Sequence, residues 1–131
     1  MRDQFARFVI VGALGFFVDT GMLWLALQAG MGHFVGRAIS FLSAVWFTWQ
    51  VNRRVTFVHR QPGISAWHEW WRYVAAMSVG GGVNFAVYSL IVLAMPEQPL
   101  APFIGLAAGS LAGLVVNFAS ARWWVFRQRK K

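Results

Sequence analysis

The sequence predicts an all-α integral membrane protein: four transmembrane helices in two tandem parallel-repeat helical hairpins, with both termini cytoplasmic. Three observations lead there. Of 131 residues, 58% are hydrophobic and only 12% charged. A soluble domain this small carries about twice that charged fraction and cannot hide so many large apolar side chains in one core. The hydrophobicity falls in four blocks, each near the length a helix needs to cross hydrocarbon. The arginines cluster at alternate ends of those blocks.

The blocks run roughly over Phe8–Met31, Phe34–Val51, Tyr73–Met95 and Pro102–Ala121, within a single transmembrane domain over 1–131. The second and fourth are short and leave little room for tilt. None alternates polar and apolar residues, so a membrane barrel is not supported, and helices remain as the way to satisfy a backbone in lipid. The interior glycines suit helices that pack closely in membranes. The first block is read as a retained span rather than a leader peptide. Asp19 interrupts its apolar region, the segment is long for that role, and no clear cleavage site follows.

Charge sets the orientation. Arg2 and Arg7 precede the first block. Arg53, Arg54, Arg60 and Arg72 lie in the central loop over 52–72, and Arg122, Arg127, Arg129, Lys130 and Lys131 follow the fourth block. The connections AGMGHF and PEQPLAP carry Glu97 and no Lys or Arg. The positive-inside rule puts the arginine-rich side in the cytoplasm. The basic balance then points to lipid headgroups rather than to nucleic acid. With no cysteine, disulfides, thiol catalysis and thiolate metal sites are excluded. His33, His59 and His68 are scattered without ligand spacing, so no metal and no cofactor is expected.

One unit is written twice. RFVIVGALGFFVDT aligns without gaps on RYVAAMSVGGGVNF, setting Arg7 on Arg72, Phe8 on Tyr73, Gly15 on Gly80 and Asp19 on Asn84. NRRVTF aligns on ARWWVF, setting Arg53 on Arg122 and Phe57 on Phe126. Two such units in series are related by an axis along the membrane normal, as in parallel-repeat transporters.

Candidate site residues follow from depth and chemistry. Asp19 is an acid inside oil, which demands a partner, a proton or a watery path; it serves either transport or structural pairing. Asp19 and Asn84 sit at equal depth, near the midplane at ~1.5 Å of rise per residue. Arg37 is a partner for Asp19, or else snorkels to the outer headgroups. Tyr88 shares a face with Gly80 and Asn84, and Asn117 shares one with Gly105, Gly109 and Gly113. Together Asp19, Arg37, Asn84, Tyr88 and Asn117 are the candidate translocation residues. The GLAAGSLAG run is a small-xxx-small pattern, open to packing within the chain, self-association or a passage wall. At the rim, PGISAWHEWWR reads as a turn and a short interfacial helix over about 64–72, with Ser65 as its cap. Trp67, Trp70, Trp71, Trp123 and Trp124 suit headgroup depth whatever the function. They suit equally an apolar chain held beside arginines that grip a phosphate through Arg7, Arg53, Arg54, Arg72 and Arg122.

At these residues the chain resembles the GtrA-like family of small four-span membrane proteins. The likeness rests on RFVIVGALGFFVD, NRRVTF, WWRYVAAMSVGGGVNF and NFASARWWVF, and covers almost the whole length. It implies a bacterial or archaeal plasma-membrane protein linked to cell-surface polysaccharide synthesis, a flippase for polyprenyl-phosphate-linked sugars. It also implies roles for Asp19, Arg53, Asn117, Arg122 and Trp124. The repeat departs from symmetry where Asn52 precedes Arg53 but Ala121 precedes Arg122.

The favoured function is translocation of a polyprenyl-phosphate monosaccharide, since a phosphate and a sugar cross hydrocarbon only at high cost while the tail stays in lipid. The alternatives are a membrane anchor recruiting a glycosyltransferase and a small proton-coupled cation exporter. No nucleophile with its base, carboxylate pair or metal set suggests an enzyme. Spans this few and thin point to a homo-oligomer, a dimer above all.

Overall fold

Long runs of Leu, Val, Phe and Ala, without an internal proline, give continuous helices. The computed structural model describes residues 1–60 and 62–127, with the backbone alone at His33 and Phe34. Gln61 and the basic C-terminal residues Arg129, Lys130 and Lys131, which enter the orientation argument, lie outside the described residues. Helix α1 covers Arg2–Gln28, α2 His33–Val51, α3 Ala66–Ala94 and α4 Ala101–Ser120. α2 and α4 run on into π-helical turns over Asn52–Thr56 and Ala121–Val125.

α1 starts ahead of its apolar block, with Asp3 in the first turn, where the helix dipole favours an acid. It ends where Gly30 takes φ +82. There the Met31 N–H donates to Ala26 O and the Gly30 N–H to Leu27 O, both at 3.1 Å, the pairing that closes a helix on a left-handed glycine.

Three stretches, Arg2–Gln28, Ala66–Ala94 and Ala101–Val125, are long and apolar enough to cross a membrane. The protein is an all-α, multi-span membrane protein, and Phe16, Phe17, Trp24, Phe85, Leu93, Phe103 and Leu111 are exposed, as lipid-facing side chains must be. α2 is not one of the three. Its 19 residues include Arg37, Ser40, Ser43, Thr48 and Gln50, which interrupt its apolar run. Several of these polar groups are satisfied within the protein: Ser43 Oγ donates to Ile39 O at 2.8 Å and Thr48 Oγ1 to Val45 O at 3.1 Å.

The expected short helix over about 64–72 is not a separate element. Nothing between Trp71 and Val74 breaks a helix, so those residues form the opening turns of α3, which is 29 residues long. The turn before it uses Gly63 at φ +104. Ser65 caps the start, its Oγ accepting from the His68 N–H at 3.3 Å and lying 2.8 Å from His68 Nδ1.

The described residues divide into two compact units, 1–70 and 71–127, with the division inside α3. In the first, Phe8, Val11 and Gly15 form the buried stripe of α1. A Cβ on Gly15 would collide with the Thr48 methyl of α2, and one on Gly36 would lie 3.6 Å from Leu23. Phe8 meets Phe57 edge-on, centroids 6.2 Å apart. In the second unit the aligned residues make the same contacts. A Cβ on Gly80 would collide with the Asn117 amide, and one on Gly105 would lie 3.1 Å from Tyr88. Tyr73 meets Phe126 at 5.8 Å. The π-helical turns recur at aligned positions too, closed by Phe57 N–H to Asn52 O at 2.8 Å and by Phe126 N–H to Ala121 O at 2.7 Å. Both phenylalanines are fully buried. The extra residue per turn moves the chain around the helix axis and folds each phenylalanine back under its own unit.

Candidate functional site

The charged pair inside the first unit comes from α1 and α2. Arg37 starts nearer the loop between these helices than Asp19 does, and its long stem carries the guanidinium back along α1. Arg37 Nη1 lies 2.6 Å from Asp19 Oδ1 and 3.3 Å from Ser40 Oγ. Ser40 is completed by donating to Arg37 O at 3.0 Å. The pair is not sealed: the Asp19 side chain is 20% exposed and that of Arg37 58%. It is a polar step on an otherwise apolar surface, open at its side.

Asn84, aligned with Asp19, lies in a different setting. Cβ atoms built on Gly109 and Gly113 of α4 would fall 2.6 Å from Asn84 Oδ1 and 3.0 Å from Asn84 Cβ. Gly105, Gly109 and Gly113 are all buried, so the α4 glycines form a smooth face against Tyr88, Asn84 and Gly80. Asn117 Oδ1, beside Gly80, is buried without a hydrogen-bond partner among the described residues. At the position aligned with Asp19 the second unit thus holds an amide, packed on glycines, in place of an ion pair.

At the arginine-rich end of the first unit the organising residue is Glu69, which is not among the residues singled out from the sequence. Its residue is only 3% exposed. Glu69 Oε1 accepts from Trp49 Nε1 at 3.0 Å and lies 3.0 Å from Arg53 Nε; Oε2 lies 3.3 Å from Arg60 Nε. The Arg53 N–H is not aligned on that oxygen, so its contact is Coulombic rather than a hydrogen bond. Arg53 also stacks over Trp49, 4.7 Å from the ring centroid, and Trp49 packs on Trp70 at 5.3 Å. The signal in the sequence was a lone acid among tryptophans and arginines. Arg7 is used differently, its Nη1 donating to Val55 O at 3.0 Å and tying α1 to the π-helical turn. Arg54 is exposed.

Arg122, aligned with Arg53, has no such acid. Its Nε is buried and without an acceptor among the described residues, and Trp123 and Trp124 beside it are exposed. Arg72 is half-buried, and Trp67 and Trp71 are exposed. One member of the aligned arginine pair faces an acid of its own unit, and the other has none among the described residues.

An apolar groove of about 560 Å³ runs along the first unit, lined by Val18, Met22, Ile39, Trp46, Phe47 and Trp70 among others. Its lining includes Trp70, which packs on Trp49 of the Glu69 cluster.

These features define a multi-span membrane protein with polar groups placed along apolar helices. The family model described as GtrA/DPMS, transmembrane domain, matches residues 7–131, and the chain belongs to that family. Membership is consistent with a general role in membrane transport and with a plasma-membrane location. No curated protein matches the chain significantly.

Proposed function

We propose that the protein moves a polyprenyl-phosphate-linked monosaccharide from the cytoplasmic to the outer leaflet, for synthesis or modification of cell-surface polysaccharide. The observation that carries this reading is the Asp19–Arg37 pair: a 2.6 Å ion pair, open to the side, in the apolar part of two packed helices. A pure anchor has no use for charge there, whereas a sugar leaving water needs polar contacts on its way. The tail stays in lipid along the apolar groove, and the phosphate is gathered by the rim arginines. The amides of Asn84 and Asn117 and the Tyr88 hydroxyl supply further polar contacts. The protein acts as a carrier and performs no chemistry on its substrate. The working form in this reading is a homodimer, because four short helices offer few walls for a polar path.

The test is reconstitution into liposomes with a labelled polyprenyl-phosphate sugar, following leaflet accessibility over time. Protein-dependent transfer is expected. A rate equal to that of protein-free liposomes removes the reading and leaves an anchor that recruits a glycosyltransferase.

The proposal includes four crossings with both termini cytoplasmic, supported by the arginine distribution and by the contacts repeated between aligned residues. Because the chain has no cysteine, single cysteines report cleanly. One placed in PEQPLAP should react with an impermeant reagent from outside, and one at either terminus should not. The reverse pattern overturns the orientation, and labelling of one terminus alone overturns the even number of crossings.

Arg122 is expected to bind the phosphate. Arg122→Gln should weaken binding of the phosphate-bearing lipid about tenfold or more, on the scale of ~1.5–3 kcal/mol for a charge-assisted hydrogen bond. An uncharged analogue with the same tail should bind as before. Arg122→Lys should recover only part, because an ammonium restores charge but not the two-pronged geometry. Equal affinities across wild type, Lys and Gln, measured in protein of verified orientation, would leave Arg122 with topology alone.

A further inference from the structure

The Glu69 cluster poses a physical question. A basic rim that gathers phosphate gains nothing in field strength from an internal acid, yet Glu69 is almost fully buried among two arginines and an indole. Burying a carboxylate is costly unless it is paired and hydrogen-bonded. Here both of its oxygens are engaged, and both arginines face it with the same atom, Nε. A guanidinium carries five N–H groups, so a closest contact through Nε leaves N–H groups of its terminal nitrogens unclaimed by the acid. Arg60 places Nη1 on Arg53 O, whereas the terminal nitrogens of Arg53 have no acceptor among the described residues. Trp49 fixes the plane of Arg53 from below by stacking, and is itself fixed by its bond to Glu69. Two like charges that would otherwise repel are brought to one carboxylate, and the cluster keeps a net positive charge.

We propose that Glu69 is a positioning residue: it holds Arg53 and Arg60 side by side so that their free guanidinium nitrogens receive the phosphate of a lipid-borne phosphate ester. The inference rests on the lipid-phosphate reading above and adds the residue that orients that site. It assigns Arg60, beyond the π-helical turn, to the same anion as Arg53. It also explains why Arg53 needs an acid that its counterpart Arg122 lacks. Arg53 and Arg60 act as a pair and must be kept together, whereas Arg122 has no arginine brought to it by a shared carboxylate.

Glu69→Gln separates positioning from simple charge, because the two predict opposite signs. Removing the carboxylate raises the local charge by one, so an electrostatic role alone predicts tighter binding of an anion. Loss of positioning predicts weaker binding. The probes are a polyprenyl monophosphate, the corresponding prenol and inorganic phosphate, each titrated against purified full-length protein in detergent. The expected result is that wild type prefers the monophosphate to the prenol and that Glu69→Gln reduces this preference about tenfold, ~1.4 kcal/mol, with prenol affinity unchanged. Where the glutamine variant does not fold, Glu69→Asp keeps the charge and shortens the reach, and it should likewise bind more weakly than wild type. Free phosphate bound with the same dependence on Glu69 would assign the site to phosphate itself and leave the positioning role intact. A preference in a folded Glu69 variant that equals or exceeds that of wild type overturns the inference while the lipid-phosphate reading survives. A wild type that does not distinguish monophosphate from prenol overturns both.

Discussion

Asp19→Asn is expected to slow leaflet transfer at least tenfold while leaving most of the protein folded. Asparagine keeps the size of the side chain and one acceptor oxygen for Arg37, but not the charge. Arg37 is more than half exposed, so it can turn outward when its partner is neutralised. The guanidinium then snorkels toward the headgroups near the α1–α2 loop instead of staying unpaired in hydrocarbon, so most of the protein should stay folded. A tenfold slower transfer corresponds to ~1.4 kcal/mol on the barrier, which fits one lost charge contact to a passing polar head. Arg37→Gln should slow transfer in the same way. The double variant decides between function and glue. If the pair only holds α1 to α2, Asp19→Asn with Arg37→Gln removes both unpaired groups and transfer returns. If the pair meets the substrate, the double variant is as slow as the worse single one. Wild-type rates in a well-folded Asp19→Asn protein would falsify the translocation reading of this site.

Gly109→Ala is expected to give the largest loss of stability among the glycine substitutions. A Cβ at this position would stand 2.6 Å from the backbone oxygen of Asn84 and equally close to its Oδ1. A side chain can swing away, but the helix backbone cannot, so α3 and α4 must separate. Overpacking of this kind costs about 1–3 kcal/mol, and the effect is sharpened where helix association in lipid depends on close backbone approach. Gly80→Ala makes a different test, since the clash there is with the Asn117 side chain alone. It should destabilise less, and Asn117→Ala should relieve it. Gly81→Ala, with nothing within 4 Å of the new methyl, is the control and should be neutral or slightly stabilising, because alanine favours a helix interior over glycine. Thermal unfolding in detergent, followed by tryptophan fluorescence, ranks the series. A Gly109→Ala protein as stable as Gly81→Ala would mean that α3 and α4 do not pack through this face.

The gains and losses in reading the chain can be traced to particular residues. Arg37 and Asp19 were legible as partners because helical rise alone sets their depths, and the side-chain length of arginine covers the remainder. The aligned contacts were legible because Gly15 and Gly80, Phe8 and Tyr73, and Phe57 and Phe126 are matched by type at fixed spacing. The interfacial helix was separated from the third span because the composition changes at Arg72, but a change of composition does not break a helix, and no proline or glycine lies there. The second block looked like a span by length, yet Arg37, Ser40 and Thr48 interrupt it, and it is not among the stretches long and apolar enough to cross a membrane. Glu69 was overlooked because its importance depends on three residues from two other segments.

The sequence by itself determined the class of protein and the family, and it placed four helical blocks, although α1 and α3 begin six and seven residues earlier than their apolar blocks. These depend on hydropathy, spacing and local propensity, all of which are written along the chain. The tertiary structure alone decided which arginines are engaged and which remain open. Arg53 and Arg122 occupy matching places in matching units, and nothing local distinguishes their guanidinium groups. The difference is made by Glu69, carried in on the first turn of α3, and by the π-helical turn that sends the chain on to Arg60. An ion pair forms where backbone paths converge, and that convergence is a property of the packed helices rather than of any one segment.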